Sequence, residues 1–208
     1  MNAFSHTHSR PARMAVLAAA NRSGVVMARD VLRRGIHTQT LTRLVAEGML
    51  ERVGRGVYRR PNFDVTENHG LVLAAAAIPC GVVCLLSALG FHGIGTQLPH
   101  EVWLALDRRA RRPSRAAVPV NVVRFSGSAL TFGVETHRLE GQPVRIYSLA
   151  KTVADCFKYR NKIGIDVAVE ALRESMAEGR LTPADLESAA RVCRVERVLR
   201  PYLEALTP

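Results

Sequence analysis

Lysine is almost missing from this chain. Of its 29 basic residues only Lys151, Lys158 and Lys162 are lysines, so nearly all positive charge sits on arginine. Acidic residues number 18, which leaves a formal charge of +11 and argues against a preference for cationic partners. Cysteine is sparse: Cys80, Cys84, Cys156 and Cys193 form no CxxC pair, and the N-terminal MNAFSHTHSRPAR has no apolar signal core. The expectation is a reducing cytoplasm and four buried thiols, with no metal and no cofactor. Charge is absent altogether from Gly70 to Ile94, a stretch long enough to cross a bilayer. Pro79 and Gly81 interrupt it and no basic residues flank it closely, which predicts two short buried helices, about 67–77 and 81–90, and no membrane partner.

The motifs of several enzyme classes are missing too. No Glu-x-Lys or Asp-x-Lys occurs, so a restriction-type nuclease site has no metal-holding acid beside its lysine. Ser126-Gly127-Ser128 is not followed by the Asp-x-Asp that a nucleotidyltransferase needs for magnesium. Ser148-Leu149-Ala150-Lys151 has the Ser-x-x-Lys spacing of penicillin-recognising enzymes, but their companion motifs are absent. Ser148 reads as a helix cap and Lys151–Asp155 as an ordinary i,i+4 pair. The chain is expected not to be an enzyme.

What is present is a concentration of arginine. Residues 1–60 hold eleven Arg against Asp30, Glu47 and Glu51, a net of +8, whereas 61–100 have no Lys or Arg. Residues 101–147 return to +4, mostly through DRRARRPSR at 107–115, and 148–208 stand at +1. Such a distribution points the N-terminal segment at a polyanion.

That segment also carries a regular apolar pattern. After a disordered lead (1–10), helices are expected near 13–20 and 27–34, with Val31 and Leu32 facing inward. Gly35 stops the second, Ile36 follows as a staple, and His37 or Thr38 caps a third helix to about Glu47. Leu41, Leu44 and Val45 give that helix one buried stripe. After Gly48 the period falls to two: residues 49–53 and 57–60 read as strands joined through Gly54-Arg55-Gly56. Helix, helix, turn, helix, hairpin is the order of a winged helix-turn-helix, expected over 11–61. In that layout the third helix enters the major groove of double-stranded DNA. The candidates for base and phosphate contact on it are Thr38, Gln39, Thr40 and Arg43. Arg55 at the wing tip suits a minor groove, and Arg33, Arg34, Arg52, Arg59 and Arg60 suit phosphates.

The rest of the chain, 62–208, predicts a small sheet from 101–107, 118–125, 132–140 and 143–148, with helices at about 148–159, 164–178, 183–193 and 195–206. The fold class is therefore α+β: an N-terminal winged helix and a mixed domain of sheet and helices. The loop 108–115 reads either as solvated or as a further electrostatic contact.

The run GIHTQTLTRLVAEGMLERVGRGVYRRP resembles the N-terminal winged-helix domain of AbiEi-family antitoxins, from bacterial type IV toxin–antitoxin systems of the abortive-infection class. The resemblance continues through LLSALGFHGIGTQLP (85–99) and RIYSLAKTVADCFKYRNKIGIDVAVEAL (145–172), the latter with the Thr-x-x-Asp pattern at Thr152 and Asp155. It implies a DNA-binding autorepressor acting on inverted repeats, a monomer in solution that binds cooperatively. It also implies a C-terminal domain that counters a nucleotidyltransferase-like toxin, and it carries no catalytic residues. Contacts to that toxin are expected on the exposed faces of helices 148–159 and 164–178 and on the basic loop, through Arg109, Arg111, Arg112, Lys151, Lys158, Arg160 and Lys162. The alternatives are a stand-alone winged-helix regulator without a toxin, and a pure protein-interaction module.

Overall fold

The computed structural model describes residues 9–111 and 116–206. Residues 1–8 of the expected lead, and Arg112 with the rest of the basic run to 115, lie outside the described residues. The described chain divides into two compact units. One contains residues 9–79, 116–118 and 138–143; the other contains 80–111, 119–137 and 144–206.

The first unit begins with α1 (Ser9–Ser23), β1 (Val25–Met27), α2 (Ala28–Arg33) and α3 (Gln39–Ala46). The strands β2 (Glu51–Gly54) and β3 (Val57–Arg59) follow, then α4 (His69–Ala77). Val16 and Ala20 of α1, Val26, Val31, Leu41, Leu44 and Leu50 share one core. Each of its larger side chains contributes about 1.5–3 kcal/mol by leaving water. Strand β1 was not expected: Met27 read as the start of the second helix, and Val25 and Val26 were assigned to no element. All three residues are buried and β-branched or long, and they pair antiparallel with β3, Val26 opposite Tyr58, so the sheet order is β1-β3-β2. Three buried residues in a row cannot show a period of two, which is why alternation missed them.

The second helix ends as expected: Gly35 N–H donates to Leu32 O at 2.9 Å and Ile36 N–H to Val31 O at 3.1 Å. Leu32, however, is 54% exposed. A six-residue helix has room for one inward position here, and Val31 takes it. Thr38 does not cap α3 through its side chain; its backbone is helical. His37 Nδ1 instead accepts from Gln39 N–H at 3.2 Å. At the wing, Gly54 pairs with Val57 and the turn is Arg55-Gly56, with Gly56 at φ 71°, where a side chain would be strained.

In the second unit β4 (Val82–Val83) and α5 (Leu85–His92) replace the single helix expected over 81–90. Strands β5 (Val102–Asp107) and β6 (Val120–Phe125) follow, then the short α6 (Ser128–Thr131), which lies just before the third expected strand. Strands β7 (Val134–Leu139) and β8 (Gln142–Tyr147) complete the five-stranded order β6-β5-β4-β8-β7. The turn between them, with its flanking residues 138–143, belongs to the first unit. β4 is antiparallel to β5 and parallel to β8, and β5 is parallel to β6, so the sheet is mixed. Five helices close the chain: α7 (Leu149–Lys158), α8 (Arg160–Ile163), α9 (Ile165–Ala177), α10 (Pro183–Cys193) and α11 (Glu196–Glu204). α7 is central and packs against α5, α9, α10 and α11. The fold class is α+β, and among the described residues no helix is long and apolar enough to cross a membrane.

Candidate nucleic-acid interface

α3 exposes one face and buries the other. Leu41 and Leu44 lie inward at 0% and 1% exposure, while Gln39, Thr42, Arg43 and Ala46 are exposed. Thr38 and Thr40 are half-buried. Thr42 is a position that the sequence reading passed over. The signal was available: it lies three residues after Gln39, one turn along the same outer face. Ala46, one further turn on, leaves that face free of bulk.

The arginines around α3 differ in how they are held. The side chains of Arg34, Arg43 and Arg55 have no hydrogen-bonded or acidic partner among the described residues, and all three residues are exposed. Arg52 Nε donates to Gly54 O at 3.2 Å, which aims its chain along the wing. Arg33 meets Asp30 at 3.4 Å. Arg59 is engaged twice: its guanidinium lies 2.5 Å from Glu51 Oε1 and 3.4 Å from His69 Nε2. Arg60 donates to Asn21 Oδ1. Arg13 of α1 pairs with Glu47 beyond the end of α3, tying the outer helix to α1. Ten residues were candidates for DNA contact. Among the described residues the side chains of Gln39, Arg43, Arg34 and Arg55 are unengaged, whereas Arg59 and Arg60 have neighbours that hold the wing to its surroundings.

His69 carries that holding further. Its Nδ1 is 2.7 Å from Glu140 Oε2, and Thr66 donates to Glu140 Oε1 through both N–H and hydroxyl at 2.9 Å. The Glu140 side chain is 1% exposed. Burial pushes its carboxyl up, but the hydrogen bonds from His69 and Thr66 outweigh that and hold it below the usual range.

In the second unit the expected partner-binding set separates. Lys158, Lys162, Arg109 and Arg111 are exposed. Arg160 is half-buried and Nη1 donates to Phe157 O at 2.9 Å, so it also serves a helix end. Lys151 is a correction. It was placed on an exposed helix face but is 0% exposed. Its ammonium pairs with Asp155, which is equally buried, and lies 4.1 Å and 4.7 Å from the ring centres of Tyr147 and Phe125. Cys193 Sγ donates to the same carboxylate at 3.2 Å. Burial pushes the Asp155 carboxyl up and Lys151 opposes that; burial likewise raises the Cys193 thiol to about 12. The i,i+4 spacing alone could not tell this interior pair from a surface one. Ser148 caps α7, accepting from Lys151 N–H at 3.4 Å, while the Lys151 ammonium donates to Asp155. Of the four thiols, Cys80 is exposed, contrary to expectation, because it sits in the turn after Pro79 and not in β4.

Comparison with known proteins bears on the first unit. Residues 14–61 match the family model described as transcriptional regulator, AbiEi antitoxin, the family that the sequence resembles. No curated protein matches the chain. Its fold is similar to that in the crystal structure of the RV2827C protein from Mycobacterium tuberculosis, with a TM-score of 0.60 at 17% identity, over 92% of this chain and 77% of that one.

Proposed function

We propose that the protein is a DNA-binding transcriptional regulator of the antitoxin kind, which represses its own operon by placing α3 in the major groove of an inverted-repeat operator. The observation that carries this reading is the outer face of α3, with Gln39, Thr42 and Arg43 exposed and Arg43 unpaired, beside a wing tip bearing the unpaired Arg55. The match of residues 14–61 to a transcriptional-regulator family supports it. Gln39 has the geometry to bind adenine and Arg43 to bind guanine, each worth roughly 1–3 kcal/mol of discrimination. Arg55 is suited to the adjacent minor groove, and Arg34 and Arg52 to phosphates. Monomers binding cooperatively to the two repeats would set the repression threshold.

The test is titration of the promoter and of scrambled DNA with the whole chain. Arg43→Ala and Gln39→Ala are expected to bring the two affinities together by roughly 10–100-fold. Arg34→Ala and Arg55→Ala are expected to lower both affinities. Equal affinity of the unaltered protein for promoter and scrambled DNA would overturn the reading.

The family description also names an antitoxin, which supports a second role for the same chain: countering a nucleotidyltransferase-like toxin in the cytoplasm. Lys158, Lys162, Arg109, Arg111 and Arg160 are the contacts proposed for it, together with Arg112. Rescue of growth when the whole chain is co-expressed with such a neighbour-encoded toxin tests this role. Operator binding without rescue would leave the stand-alone regulator.

A further inference from the structure

A cleft of about 270 Å³ opens on the first unit, lined by α1, β1, α2 and the 138–143 turn. Its apolar floor comes from the half-buried Ala15, Ala19 and Ile36, which lie over the buried Val16, Val26 and Val31. Its rim is cationic. Arg22 at the end of α1, Arg34 after α2 and Arg138 on β7 line it against a single acid, Asp30, which is already held by Arg33 at 3.4 Å. Arg22 and Arg34 have no acidic partner among the described residues. Arg138 Nη1 spends one donor on Gly141 O at 3.3 Å. Apart from Arg34, none of these features belongs to the proposed DNA-contact set.

The wall is built by a close approach. Gly141 has φ 75°, and a Cβ there would stand 2.3 Å from the Arg22 carbonyl oxygen. Gln142 Nε2 donates to Val25 O at 3.0 Å, fixing the turn beside the mouth. The volume lies just below the range of about 300–1,000 Å³ usual for small-molecule sites.

We propose that this cleft binds a small carboxylic acid with a compact apolar body. Guanidinium groups present a planar fork that matches a carboxylate bidentately. Like charges gathered on one rim repel, and an anion between them removes that cost. An inorganic anion would meet the rim and leave the floor in water; a neutral apolar molecule would fill the floor and leave the rim unmatched. Only a ligand with both parts satisfies both surfaces. Its regulatory sense rests on the DNA-binding reading above. Arg34 and Ile36 belong to the turn leading into α3, and Ile36 N–H is bonded to Val31 O, so an occupant touches the segment that sets the entry of that helix.

Three probes separate the two halves of the claim: phenylacetate, its neutral isostere phenylacetamide, and acetate. Calorimetric titration of the whole chain is expected to give saturable binding of phenylacetate at least tenfold tighter than either of the others, the effect of one charge-assisted contact or one apolar body. Arg22→Gln and Arg138→Gln, both on the surface, are each expected to weaken it severalfold without altering the fold. Ala19→Phe, which fills the cleft, is expected to abolish it. No saturable binding, equal binding of the amide or of acetate, or unchanged binding to Ala19→Phe with a native circular dichroism spectrum would overturn the proposal. A saturating probe that leaves operator affinity unchanged would overturn the regulatory half alone. Failure to bind operator without any probe would instead count against the DNA-binding reading and leave the ligand site standing.

Discussion

Lys151 and Asp155 show how much one pair of residues can hide. Two ionisable side chains sit at 0% exposure in the middle of α7, with two aromatic rings and a thiol around them. Removing one partner strands the other without solvent. Asp155→Ala is therefore expected to destabilise the protein by about 3–5 kcal/mol in urea unfolding, whereas Lys151→Met with Asp155→Leu together should be close to neutral. A single-residue loss under 1 kcal/mol would mean that water reaches the pair. Glu140 is a second buried carboxyl with the opposite behaviour. Its folded-state value lies below the ordinary 4.5, so the unfolded chain binds the proton more tightly. Its contribution to stability is complete above pH 4.5 and is lost as pH falls through the depressed value. Glu140→Gln removes that contribution, so the stability gap between variant and parent should narrow on acidification from pH 6 to pH 3. A gap that stays constant would show that the hydrogen bonds to His69 and Thr66 do not depend on the carboxylate charge.

At the scale of elements, the 138–143 turn is the piece with most at stake for the first unit. Gly141→Ala places a methyl group against the Arg22 carbonyl at a backbone angle disfavoured for alanine. A loss of roughly 1–3 kcal/mol is expected, read as an earlier melting of amides in β1 and at the end of α1. The strands and long helices were legible because their patterns are long: Val102–Asp107, Val120–Phe125 and Ile165–Ala177 fall where the sequence placed them. β1 was not, since three buried residues carry no period. Leu85–His92 was read from Gly81 because an apolar run does not reveal that Val82 and Val83 pair with β5 before the helix begins. On α3 the inward stripe gave the outward face by subtraction, which found Gln39 and Arg43 but left out Thr42. The basic list around it could not show that Arg59 and Arg60 answer to Glu51, His69 and Asn21, because those partners are distant in sequence or lie across a strand pair.

Over the whole molecule, charge is divided along the chain: +8 in residues 1–60 and no Lys or Arg from 61 to 100. If about six phosphates are neutralised, operator affinity should fall on the order of 10³-fold between 50 and 200 mM salt. A fall of less than tenfold would mean that only one or two of those arginines reach the backbone. A fragment ending at residue 79 would keep that charge and the α3 face, yet it lacks Glu140, Gly141 and Gln142 and the bonds they make to His69, Thr66 and Val25. It is expected to bind operator more weakly than the full chain and to melt at a lower temperature. The same discontinuity has a bearing on birth as well as on stability. A ribosome elongating at about 5–20 residues per second needs roughly 3–12 s to travel from codon 79 to codon 138. Throughout that interval the part of the first unit already made is tethered to its own message with its last turn unmade. On the proposed reading, repression by newly synthesised protein would therefore wait on translation of the middle of the gene.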